Sequence, residues 1–203
     1  MTERQEEKGE TIREKSSEGY LEDGDKHRKQ RRWREAVKAY TKAIELDKDD
    51  FQSHERRGRA CFELGDYHQA IINFTRAIEI KPNRYLFYDL RGRAHSMLGD
   101  KDAVAADFVK AIELHPGHNV YLHKALAFRE LGKYDQAIAD LSRAIELKAD
   151  YAYAYLNRGM IYQRLGEKEK AEVDYQRTID LDTNRSWSEQ ARAHLQALME
   201  NEY

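Results

Sequence analysis

A single cysteine, Cys61, and two prolines, Pro82 and Pro116, are all that 203 residues contain of those types. One cysteine excludes an intramolecular disulfide framework and a four-cysteine zinc site, and two prolines with 11 glycines leave little punctuation for an all-β or loop-rich fold. No run approaches the roughly 18 apolar residues of a membrane span, and the opening MTERQEEKGE is charged where a secretory leader is apolar. A soluble chain in a reducing compartment is therefore expected, cytoplasmic and without membrane insertion. Excess charge of one sign is missing too: 35 Lys and Arg face 37 Asp and Glu, a formal net charge of −2. Leu, Ile, Val and Phe are sparse, but composition-driven disorder also needs a large net charge. Alanine and the 13 tyrosines supply buried volume instead, in a charged, Ala-rich composition that favours helices.

Internal repetition is what the chain has in abundance. AIELD from Ala43, AIEIK from Ala77, AIELH from Ala111, AIELK from Ala144 and TIDLD from Thr178 recur at spacings of 34, 34, 33 and 34. Gly24, Gly58, Gly92, Ala125 and Gly159 repeat in step, as do the later glycines Gly65, Gly99, Gly132 and Gly166. Five units follow, 17–50, 51–84, 85–117, 118–151 and 152–185, with the one-residue deletion around HPGHN. Within a unit the apolar residues take helical spacing twice and break at a Leu-Gly pair, so each unit is expected to be a helix hairpin. The second glycine series suits a left-handed helix end, and Pro82 and Pro116 stop the second helix. Residues 186–200 look like one more amphipathic helix, with Trp187, Ala191, Leu195 and Leu198 on one face, as the end of a stacked array requires. Residues 1–16 hold little apolar beyond Ile12 and are expected to be flexible.

An aromatic near the unit start (Tyr88, Tyr155), the small residue (Gly92, Gly159), an aromatic three on (Phe128, Tyr162), alanine (Ala70, Ala171), a second aromatic (Phe74, Tyr175), another alanine (Ala77, Ala111) and proline (Pro82, Pro116) arrive in a fixed order. This order resembles the tetratricopeptide repeat (TPR) family over residues 17–185. The resemblance implies an all-α, right-handed superhelical solenoid of five hairpins with a C-terminal capping helix and tail over 186–203. Lys48, Ala149 and Thr183 stand in place of the proline, and Asp23 and His27 depart from the pattern, so the first unit is expected to be the least regular.

Candidates for chemistry have structural explanations. Arg57, Arg91, Lys124 and Arg158 share one place, and 16 residues after each stands Asn73, Asp107, Asp140 or Asp174. The first unit lacks both members, having Asp23 and Ala39, so base and acid rise and fall together as in a structural ion pair. Cys61 takes the place of His95, Phe128 and Tyr162, which reads as a buried, inert thiol. His115, His118 and His123 are a weak metal signal, since no Cys or carboxylate follows at ligand spacing. No phosphate-binding glycine loop, HExxH motif or nucleophile elbow occurs, so neither enzymatic activity nor a cofactor or metal is expected. The run KHRKQRRWR at 26–34 is the strongest local charge feature, read as a solvated turn near acidic neighbours, with Trp33 packing the turn. Nuclear entry or contact with RNA or an anionic surface is its alternative use.

In the family the first helix of each unit lines a concave groove. Carried over, that places Arg56, Arg59 and Arg93 mid-groove and Leu122, Leu126, Arg129, Tyr153, Leu156, Asn157 and Met160 toward the C-terminal end, where the leucines, Tyr153 and Met160 form an apolar strip. The expected activity is non-catalytic binding of a protein or peptide with acidic and hydrophobic stretches. A co-chaperone adaptor gripping a chaperone C-terminus is the alternative, but its Lys, Asn and Arg clamp is not reproduced: the first three units offer Leu21 and Asp25, Arg56, then Leu86 and Leu90. Nucleic acid, through 26–34, is the other alternative, and both rank below a non-catalytic interaction module.

Overall fold

A computed structural model describes residues 15–183 and 185–200. The N-terminal segment expected to be flexible, apart from Lys15 and Ser16, lies outside the described residues, as do the last three positions. Among the described residues there are eleven helices and no strand. They are α1 (Ser17–Lys29), α2 (Trp33–Leu46), α3 (Phe51–Glu63), α4 (Tyr67–Ile80), α5 (Tyr85–Met97), α6 (Lys101–Leu114), α7 (His118–Glu130), α8 (Tyr134–Leu147), α9 (Ala152–Arg164), α10 (Lys168–Leu181) and α11 (Ser186–Glu200). Each odd helix from α1 to α9 packs on the even helix that follows, and each hairpin packs on the next. None of these helices is long and apolar enough to cross a membrane.

Local chemistry sets the breaks. Asp50, Asp66 and Asp100 cap α3, α4 and α6 by accepting backbone N–H groups at 3.0–3.1 Å. At the other end of α3, Gly65 takes φ +80° and Asp66 N–H reaches back to Cys61 O at 2.9 Å, a pairing that only a left-handed residue at this place permits. The first hairpin makes the same bond, Arg32 N–H to His27 O at 2.9 Å, with Arg31 forced to φ +57° where the other hairpins have glycine. Otherwise the first unit is regular, with helices of 13 and 14 residues like those of the second.

The core is a strip running the length of the stack. It passes from Ala36, Tyr40 and Ala60, through Ala70, Phe74 and Leu90, to Phe108, Leu122 and Leu141, and ends on Leu156, Tyr175 and Leu198. Four of the five hairpins cross where a glycine meets an aromatic ring. A Cβ on Gly24 would lie 2.2 Å from the Tyr40 ring, and one on Gly58 would lie 2.6 Å from Phe74. In the fourth unit Ala125 replaces the glycine and Leu141 replaces the aromatic, so the added methyl is matched by a smaller partner, and both are fully buried. α11 lays Ala191 and Leu198 over the last hairpin, anchored where Asp182 Oδ2 accepts Trp187 and Ser188 N–H at 2.7 Å each.

Candidate interaction groove

The paired bases and acids are architectural. Arg91 grips Asp107 at 2.7 Å, Arg158 grips Asp174 at 2.7 Å and Lys124 grips Asp140 at 2.9 Å, each joining the two helices of a hairpin. The arginines do more than the pairing required: Arg57, Arg91 and Arg158 also donate from Nη1 to Thr41, Thr75 and Ser142 of the preceding unit at 3.2, 3.0 and 2.9 Å. One guanidinium thus fastens a hairpin internally and to its neighbour, which a lysine cannot do with the same geometry. Lys124 has Val109 at the hydroxyl's place, and the second oxygen of Asp140 is buried without a partner. Burial accordingly pushes the Asp140 carboxyl above its ordinary range despite Lys124.

Cys61 is buried, and desolvation pushes its thiol up to about 11, so it has no thiolate character at neutral pH. The three histidines go to three different partners. His115 stacks on Tyr85 at 4.5 Å, His118 meets Tyr151 edge-on at 5.1 Å, and His123 donates from Nδ1 to the buried Asp89 of the preceding unit at 2.8 Å.

Along the face formed by the first helices, three depressions run into one another. The first, about 140 Å³, is framed by Arg28, Arg59 and Arg93 over Trp33, Phe62 and Leu90. The second, about 500 Å³, shares Phe62 and Arg93 with it and continues over Met97, Leu126 and Tyr153. The third, about 310 Å³, shares Arg129 and Glu130 with the second and reaches Met160, Arg164 and His194. The result is a groove that changes from guanidinium-rimmed to more apolar along its length.

Not every residue placed in this groove by sequence is offered by it. Leu156 (1 % exposed) turns into the core beneath α11, because a helix in a stacked array is covered on two sides rather than one, while Leu122 (3 % exposed) packs in the core and reaches only the floor of the second depression. Asn157 (2 % exposed) is consumed by Arg129, which donates to its Oδ1 at 2.6 Å. The apolar strip loses Leu156 and consists of Leu126, Tyr153 and Met160 with Leu122 beneath them. Among the cations, Arg56 is held by Asp25 at 2.5 Å, Arg59 pairs with Glu55, and Arg129 also pairs with Glu130 at 2.8 Å. Arg93 lies over the Phe62 ring at 5.3 Å with no carboxylate partner among the described residues, and so presents its charge to the groove.

Trp33 and His194 are among the lining residues that the sequence did not place in the groove. Trp33 forms the wall of the first depression besides packing the turn, a role its size alone hinted at. His194 enters the third from α11, stacked on Tyr175 at 5.2 Å, and donates from Nδ1 to Gln163 Oε1 at 2.9 Å. Burial depresses its pKa, keeping it neutral. In the basic turn, Lys26, Arg28 and Arg32 pair with Asp23, Asp25 and Glu35 at 3.1–3.6 Å, while Lys29, Arg31 and Arg34 are exposed.

Models of the tetratricopeptide repeat match residues 21–85 and 152–184, and a TPR repeat model matches 125–166. The chain belongs to the tetratricopeptide repeat family. Its fold is similar to that of MamA, with a TM-score of 0.69 at 22 % identity over 84 % of this chain and 93 % of that one. It is also similar to TTC0263, a thermophilic TPR protein of Thermus thermophilus, with a TM-score of 0.70 at 17 % identity over 91 % of this chain and 100 % of that one. YrrB, described as a TPR protein with an unusual peptide-binding site, aligns with a TM-score of 0.63 at 18 % identity over 88 % of this chain and 92 % of that one. A comparison with curated proteins finds no match.

Proposed function

We propose that the protein is a non-catalytic interaction scaffold whose first-helix groove holds an extended peptide or an amphipathic helix of a partner protein. The observation that carries this reading is the continuity of the three depressions, which share Phe62 and Arg93, then Arg129 and Glu130. A chain of ligand can therefore be followed from an arginine-rimmed end to an apolar one. Such a ligand carries acidic side chains toward the first hairpins and apolar ones toward α9. Most groove cations already have partners, so the affinity rests on Arg93 and on desolvation of Leu126, Tyr153 and Met160. YrrB, similar in fold, is described as binding peptide, which supports the reading.

The test is selection of displayed peptides on the intact protein, followed by titration of the enriched sequence. Binding is expected to weaken only modestly between low and physiological salt, and to be lost in Leu126→Asp and Met160→Asp variants that retain helical circular dichroism and cooperative melting. Binding that survives both substitutions and collapses with salt would transfer the activity to the exposed arginines of 26–34 and a nucleic-acid or anionic ligand.

A further inference from the structure

On the opposite face, between α2 and α4, Arg57 breaks the pattern of its equivalents. Arg91 and Arg158 each hold an aspartate with Nε and Nη2. Arg57 has only the neutral Asn73, whose Oδ1 accepts from Nε at 2.7 Å and whose amide is spent on Gln69 O at 2.7 Å. Its Nη1 goes to Thr41, and Nη2 has no protein acceptor among the described residues. The acids nearby are engaged elsewhere: Glu45 holds Lys42 at 2.8 Å, and Asp49 and Glu79 hold Arg76 at 2.7 and 2.9 Å. Arg57 therefore carries a partly buried charge with nothing to balance it, and desolvation lowers its pKa where the Asp174 pair raises that of Arg158.

This guanidinium opens on a depression of about 430 Å³ walled by Ile44, Glu45, Lys48, His54, Ile72 and Arg76. His54 is 6 % exposed; its Nε2–H donates to Lys48 O at 2.9 Å, and its Nδ1 is buried without any partner. The fifth unit has the corresponding depression, with Arg158, Val173 and Arg177 in the places of Arg57, Ile72 and Arg76, but there Asp174 already answers the arginine. We propose that the pocket over Arg57 is a second docking point, which receives an aspartate or glutamate side chain of a partner protein in place of the carboxylate this repeat lacks. The incoming carboxylate accepts from Arg57 Nη2 and sits between Lys48 and Arg76, while Ile44 and Ile72 pack its methylene stem. A negative charge here also favours a proton on His54 Nδ1, turning an unpartnered atom into a donor. A carboxylate is the chemistry favoured because it is what the same arginine binds in the third and fifth units.

The probe is glutarate, titrated into the full-length protein at constant ionic strength against chloride, with the Arg Nε–H resonances followed by NMR. A saturable shift at Arg57, accompanied by the His54 ring and absent from Arg91 and Arg158, is expected. Asn73→Asp supplies the missing carboxylate internally and is expected to weaken the glutarate response at least tenfold while raising the melting temperature. Arg57→Gln, read at the His54 ring, is the second variant and is expected to lose the response as well. No saturable shift at Arg57, equal shifts at all three arginines, or an undiminished response in Asn73→Asp or Arg57→Gln would overturn the assignment. Inorganic phosphate saturating Arg57 at lower concentration than glutarate would overturn the carboxylate identity in favour of a phosphorylated ligand.

Discussion

A glycine in a repeat protein can be kept for a turn or for a crossing, and here the two kinds separate residue by residue. Gly65 and its equivalents have open space around them and are set by positive φ, whereas Gly24 and Gly58 have ordinary helical dihedrals and no room for a methyl. Gly58→Ala is expected to cost about 1–3 kcal/mol through overpacking against Phe74. Gly92→Ala should cost less, since its added Cβ lies 3.1 Å from Phe108 rather than 2.6 Å from Phe74. Phe74→Leu should recover part of the Gly58→Ala loss by recreating the Ala125 and Leu141 combination; urea denaturation of the three variants measures this, and equal losses at both glycines would sink the argument. The converse applies to Arg31, exposed and held at φ +57°. Arg31→Gly is expected to raise stability by about 1 kcal/mol by relieving the left-handed strain, with a higher urea midpoint at unchanged m-value.

At the scale of elements, hairpins are joined to each other by the guanidinium that spans Thr75 or Ser142 and the following aspartate, and the fourth hairpin has a weaker joint. Lys124 reaches one oxygen of Asp140 only, Val109 provides no hydroxyl, and Asp140 Oδ2 is stranded. Because burial raises the folded-state pKa of Asp140, the folded protein binds that proton more tightly than the unfolded chain does. Stability from this group consequently falls as pH rises from the ordinary carboxylate range through the raised value, and the penalty is in full force at neutral pH. Lys124→Arg with Val109→Thr recreates the joint of the third and fifth hairpins and pairs both oxygens. A gain of about 1–2 kcal/mol at pH 7 is expected from the added charge-assisted hydrogen bonds. The gain should shrink as acid protonates Asp140; thermal melts of both proteins across pH 3 to 7 provide the check, and a pH-independent gain would refute this account.

For the whole molecule, stability is carried from hairpin to hairpin rather than by a single centre. α11 covers Leu156 and Tyr175 and contributes His194 to the groove, so a chain ending at Asp182 is expected to lose hydrogen-exchange protection in α9 and α10 while α1 to α6 keep theirs. Uniform loss of protection would show a single cooperative unit instead. The same truncation should weaken peptides that reach the apolar end of the groove and leave shorter ones, confined to the depression of Arg93 and Trp33, unaffected.

The amino-acid sequence alone determined what lies within one repeat. The hairpin breaks, the small-to-aromatic crossing at Gly58 and Phe74, and the Arg91 and Asp107 pair were legible, because each joins residues whose separation recurs from unit to unit and whose helical geometry fixes which faces meet. The composition of the groove was only half legible. Its charges are consumed by partners some 30 residues away, Asp25 with Arg56, Asp89 with His123 and Arg129 with Asn157, and its leucines divide into buried Leu156 and groove-lining Leu126. Both outcomes depend on how far each hairpin is rotated against the next. That rotation is a sum of side-chain packing across the interface between units, so only the assembled tertiary structure decides which face of a first helix remains open to a ligand.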